Sequence, residues 1–129
     1  MNKLIISSLV IFILLIAGAF TFKYSDKIIE YNSADFVSVK DGTQYINLKA
    51  KGGYNPRKLT AQANLPTVLR FETATTFDCS ASVRLPSINK SQLLPMTGVT
   101  DINIGTSTAG VFKGTCGMGM YSFEIDFKS

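Results

Sequence analysis

The sequence predicts an all-β domain, an antiparallel sandwich with Greek-key connections, carried behind one apolar N-terminal helix. Three observations predict it. Residues Leu4 to Phe22, "LIISSLVIFILLIAGAFTF", are uncharged and mostly apolar, while everything after them has the texture of an ordinary domain. That remainder is a series of short β-branched and aromatic runs with turn signals between them. No stretch within it keeps a helical apolar period for ten residues.

The N-terminal run comes first. A helix from residue 4 to residue 22 would be about 28 Å long, close to the hydrocarbon thickness of a bilayer. Lys3 before it and Ala17-Gly18-Ala19 within it also fit a cleavable signal peptide. No cysteine follows, which excludes a lipoprotein anchor. The length favours an uncleaved, single-pass transmembrane anchor over residues 4–22, behind a tail of residues 1–3. Lys3 lies on one side of the span and Lys23, Lys27 and Lys40 on the other. Lysine excess marks the cytoplasmic side, so the domain is expected at the cell membrane on its cytosolic face; a cleaved signal peptide would put it outside.

Residues 23–34 are polar and mixed and read as a tether, leaving 35–129 for the domain. "DFVSV" at 35–39 alternates, and Asp41-Gly42 is a turn signal. "TQYINLKA" alternates again. "KGGYNPRK" reads as loop, with paired glycines and Pro56 as punctuation. "PTVLRFET", "ASVRLP", "VTDINIG", "GVFKGT" and "MYSFEIDF" read as further strands. In the last, Tyr121, Phe123, Ile125 and Phe127 share one face. Seven or eight such strands make a sandwich.

Composition limits the chemistry. The chain has 129 residues, 13 Lys and Arg against 9 Asp and Glu, and a formal charge of +4. That is mild, and no basic cluster interleaves with aromatics, so nucleic acid is not expected as a partner. Histidine is absent, which removes the Cys–His and Ser–His arrangements of nucleophilic catalysis. No phosphate-cradling glycine loop is present. An enzyme is not expected.

Metal chemistry is. "CGMGM" at 116–120 places Cys116, Met118 and Met120 in five positions, and the only other cysteine is Cys79 in "FDCSAS". Thiolate and thioether are soft donors that together select Cu(I). Zinc sites do not ordinarily use methionine. A blue-copper electron-transfer site needs two histidines, which this chain lacks. Cys116, Met118 and Met120 alternate, so an extended loop would point all three to one side. Gly117 and Gly119 between them let the backbone bend so that the sulfurs converge. A sandwich brings separate loops together at one pole, where Cys79 can join them. Other readings stand beside this one. Two cysteines can form a disulfide across the sandwich, and methionines near a strand end can be core filler. Met96, in "LLPMTG", reads first as a packing residue and second as a further ligand.

Several stretches together carry a family resemblance. "GGYNPRKLTAQANLPTVLRFET", "FDCSASVRLP", "QLLP" and "GVFKGTCGMGMYSFEIDF" resemble the histidine-free cupredoxin-like domains of bacterial copper resistance, over roughly Tyr45 to Phe127. In that family such a domain occurs behind a single membrane helix in copper chaperones and fused to copper-exporting P-type ATPases. The chain departs from the pattern at Phe123, where a glycine is usual. The resemblance implies a cupredoxin-like Greek-key sandwich that binds one or two Cu(I) ions. Cys79 and Cys116 would be bridging thiolates, with Met118 and Met120 as thioethers. It also implies a partner, a copper-exporting P-type ATPase that receives the ion. The alternative is an exported adhesion or assembly module stapled by a Cys79–Cys116 disulfide.

Overall fold

The computed structural model describes residues 2–20 and 33–129. The chain divides into two units, residues 1–30 and 31–129.

The first unit contains helix α1 (Asn2–Phe20). It forms where the apolar run predicts a helix, and side chains from Leu4 to Ile16 are exposed all round. Among the described residues no helix is long and apolar enough to cross a membrane. The uncharged part of α1, from Leu4 to Phe20, is about 26 Å long at helical rise, short of the roughly 30 Å hydrocarbon core. The span expected over 4–22 is therefore not realised by the described helix. Residues 21–22 and the expected tether over 23–32 lie outside the described residues.

The second unit is a β-sandwich. Its strands are β1 (Val37–Lys40), β2 (Thr43–Ala50), β3 (Tyr54–Asn55), β4 (Lys58–Gln62), β5 (Pro66–Thr73), β6 (Ser82–Leu85), β7 (Lys90–Leu93), β8 (Gly98–Thr106), β9 (Gly110–Cys116) and β10 (Ser122–Lys128). One sheet runs β1-β2-β5-β8, with β3 paired to the far end of β2; the other runs β4-β10-β9-β6-β7. Strands β2 and β5 occupy the predicted runs without a residue's difference. β10 starts at Ser122, because Met120 and Tyr121 belong to the hairpin loop.

The sheets are mixed rather than purely antiparallel. β2 lies parallel to β5, and β4 parallel to β10. The cause is topological. After β2 the chain crosses to the opposite sheet to form β4, then returns to lay β5 beside β2 in the same direction. Antiparallel neighbours can be joined by a hairpin, whereas parallel neighbours need such a crossover.

The core follows from alternation. Ile46, Leu48 and Ala50 of β2, Leu69 and Phe71 of β5, and Ile102 and Ile104 of β8 face Phe112 of β9 and Phe123, Ile125 and Phe127 of β10. Tyr54 and Phe71 meet Phe123 edge to face, with ring centres 5.1 and 5.8 Å away. Phe123 lies opposite Gly114 in the β9–β10 ladder. A Cβ on Gly114 would collide with the Phe123 ring. The aromatic at the loop exit is thus accommodated by a glycine across the ladder. One buried polar group ties the sheets together. The Gln44 amide donates to Gln62 O at 3.0 Å and to Thr67 Oγ1 at 3.1 Å, and its oxygen accepts from Gln62 N at 2.9 Å.

Candidate metal centre

All five predicted sulfur-bearing residues lie at one end of the sandwich. Cys116 is the last residue of β9 and stands opposite Val83 of β6. Its N–H donates to Tyr121 O at 2.9 Å, which closes the hairpin. The loop that follows is a tight turn. Gly119 N donates back to Cys116 O at 2.9 Å, and Gly117 N donates to Ser82 O at 2.8 Å. Gly119 has φ +74°, a left-handed conformation that side chains rarely adopt. A Cβ on Gly117 would lie 2.7 Å from Ser82 Oγ. Backbone shape favours glycine at 119, and a side chain at 117 would displace the Ser82 hydroxyl.

This turn corrects one expectation. The strand ends at Cys116, so the pleat does not carry all three sulfurs to one side. Cys116 is only 1% exposed, whereas Met118 is 79% and Met120 65% exposed. Met96 is exposed too, so its packing reading is set aside. It is brought to this end by Thr76, whose N–H donates to Met96 O at 2.9 Å.

Cys79 arrives from another element. It opens a single 3-10 turn, Cys79–Ala81, between β5 and β6. Asp78 caps that turn, accepting from Ser80 N at 2.8 Å and from the Ser80 hydroxyl. Its second oxygen accepts from Gly52 N at 2.8 Å, which anchors the paired-glycine loop to the same place. The Ser80 hydroxyl, with the Gly52 and Ser80 amides, holds the Asp78 carboxyl below its ordinary value. That carboxylate is committed to positioning the turn. Tyr54 lies nearby, its buried hydroxyl without a hydrogen-bond partner among the described residues. Burial, and secondarily the Asp78 charge, pushes the phenol up.

The cysteines meet. Cys79 and Cys116 are joined as a disulfide with Cα atoms 5.6 Å apart. Each sulfur also accepts a backbone N–H at 3.4 Å, Cys79 from Met118 and Cys116 from Tyr121. Reduced, the pair would be two adjacent thiolates, each beside a donor that stabilises negative charge. Among the described residues no three His, Cys, Asp or Glu side chains converge on a metal position. The donors here are cysteine and methionine sulfur, a set that fits Cu(I). A cleft of about 310 Å³ lies at the other end of β9, between Ile88, Thr108, Val111 and Phe127, away from the sulfurs.

Sequence reasoning missed Asp78 as a positioning residue. It also missed the apolar side chains around the sulfurs. Phe77 is 73% exposed, and Leu93 is exposed opposite Ser82. The Asp-x-Ser spacing at 78–80 is a capping signal that was available in the sequence.

The sequence profile of the cupredoxin-like domain family matches residues 9–125. The chain belongs to that family. The cupredoxin-like domain superimposes on the metal-binding domain of the Cu(I)-exporting P-type ATPase CopA of Streptococcus pneumoniae D39, solved with Cu(I), with TM-score 0.66 and 22% identity over 72% of this chain and 93% of that one. That likeness is one of fold. A second similar structure, a copper binding protein solved in its apo form, gives TM-score 0.65 and 25% identity over 71% of this chain and 94% of that one. No curated protein sequence matches the chain.

Proposed function

We propose that this cupredoxin-like domain binds Cu(I) through Cys79 and Cys116 in their reduced form and passes it on by ligand exchange. The observation that carries the reading is the juxtaposition of the two cysteines, Cα atoms 5.6 Å apart, beneath a hairpin loop whose two methionines face solvent. Two thiolates that close can bridge copper, and Met118 and Met120 supply thioethers for one or two ions. The likeness to two copper-binding domains supports a copper role. No step here is catalysis. The domain would be a carrier, with the exposed thioethers as the place where an acceptor's sulfur enters.

A copper-exporting P-type ATPase is the acceptor this reading favours, since one similar fold is such an exporter's own metal-binding domain. Membrane attachment is a further part of the proposal. The apolar side chains of α1 are exposed, and in the sequence the uncharged run continues through Thr21 and Phe22. Tethering at a membrane would raise the effective concentration near an exporter. The lysines after the run favour the cytosolic face, where thiols stay reduced. Resistance of the full chain to carbonate extraction from membranes tests the attachment.

For copper itself, the test is an anaerobic Cu(I) titration of the fully reduced chain against a chromogenic chelator. One or two equivalents withheld from the chelator, and lost in Cys79→Ser, are expected. Copper surrendered completely by the reduced protein would sink the reading. A second reading has an observation of its own: the bond between Cys79 and Cys116 is the staple of an exported adhesion or assembly module. It predicts no free thiols in freshly isolated protein and no copper retention after reduction.

A further inference from the structure

The two sulfurs of the Cys79–Cys116 pair are not equivalent. Cys116 is 1% exposed and lies inside the strand ladder, fixed by its N–H to Tyr121 O, by its carbonyl to Gly119 N and by its register with Val83. Cys79 is half-buried and sits on a one-turn element outside the sheets. Thiol–disulfide exchange depends on which sulfur an incoming thiolate can reach and on how well the departing sulfur bears charge. Reach favours Cys79. Each sulfur accepts one backbone N–H at 3.4 Å, Cys79 from Met118 and Cys116 from Tyr121, so either could bear charge and the direction is set by reach.

We propose that this disulfide is a thiol-exchange site with a fixed direction, in which a dithiol or small-molecule thiol reductant attacks Cys79 and Cys116 is the leaving group. In the first step the reductant's thiolate forms a bond to Cys79 Sγ. The Cys79–Cys116 bond breaks, and its electron pair stays on Cys116. The product is a mixed disulfide at Cys79. In the second step another thiolate of the reductant attacks the reductant sulfur of that mixed disulfide. This forms the reductant's own disulfide and releases Cys79 as thiolate. Two electrons pass to the protein, and the two thiol protons of the reductant go to solvent or to the two cysteines. The exchange rests on the geometry of the pair. Its consequence, that reduction opens the domain for Cu(I), rests on the function proposed above.

The test uses the oxidised full chain and glutathione. Samples are quenched with iodoacetamide at early times and digested, and the modified cysteines are located by mass spectrometry. Glutathione on Cys79 with the alkyl group on Cys116 should exceed the reverse pattern by about tenfold or more. Equal amounts, or glutathione mainly on Cys116, would overturn the direction. A bond that excess glutathione leaves intact would overturn the exchange site altogether. The same reduced sample is then titrated with Cu(I) against a chelator. Exchange at Cys79 with no copper retained would leave this site standing and remove the copper function; copper retained with glutathione on Cys116 would do the opposite.

Discussion

The interior of the sandwich and its sulfur-bearing end use apolar side chains in opposite ways. Inside, Phe71, Phe123, Ile46 and Ile125 are fully buried, each placed by strand alternation against the opposite sheet. At the sulfur end, Phe77, Met96, Met118 and Met120 are exposed, on segments that are not strands. Burying a large apolar side chain contributes roughly 1.5–3 kcal/mol to folding, and an exposed one contributes little of that. The methionines of "CGMGM" are therefore not core filler. The difference shows that burial accounts for the first set and not for the second.

Substitutions separate the two regions, and the largest effect belongs to the interior. Phe123→Ala removes the ring shared by Tyr54 and Phe71 and should cost about 3–5 kcal/mol in urea unfolding. A loss under 1 kcal/mol would mean the aromatic cluster is not the core.

The disulfide comes next. It links positions 37 apart in sequence, and closing such a loop stabilises by about 2–4 kcal/mol. Urea midpoints with and without reductant should differ accordingly. Cu(I) added to the reduced protein should recover stability, by an amount that grows with the logarithm of its concentration over its dissociation constant. An unchanged midpoint on reduction would deny the bond a role in stability.

A smaller effect is expected at Asp78. Asp78→Ala removes the cap of the Cys79 turn and should cost about 1 kcal/mol at neutral pH. The folded carboxyl lies below its ordinary value, so its contribution is present above the unfolded value of about 3.9 and is lost as pH falls through the folded one. The gap between wild type and variant should therefore close in acid. A gap independent of pH would assign the loss to something other than the carboxylate.

The smallest effect on folding belongs to the loop. Met118→Ala and Met120→Ala should change stability by less than about 0.5 kcal/mol, as exposed positions do. The same variants should weaken Cu(I) retention against a chelator. Destabilisation like that of Phe123→Ala would return both methionines to the core and erase the contrast.

Sequence legibility divides along the same line. β2 and β5 were readable to the residue because each alternates between a buried and a solvent face. β7 was missed because all four of its residues are exposed, so it shows no alternation. β4 was missed because it follows the glycine- and proline-rich loop and pairs in parallel with β10, far away in sequence. Parallel pairing leaves no local mark, so the mixed sheets could not be read. At the site, residue types and glycine spacing were visible. So was the meeting of Cys79 with Cys116, expected of two cysteines on loops that a sandwich gathers at one pole, and the structure joins them. The exposure of the methionines was not, since a turn after Cys116 breaks the alternation that would have put them beside it.

The proposed function requires the exposed methionines and the paired cysteines to form one soft-metal site. X-ray absorption at the copper edge of the reduced full chain, loaded with one equivalent of Cu(I), tests it most directly. Copper ligated by sulfur alone is expected, with a spectrum changed in the Met118→Ala/Met120→Ala double variant. Oxygen or nitrogen among the ligands, or a spectrum indifferent to both methionines, would contradict it.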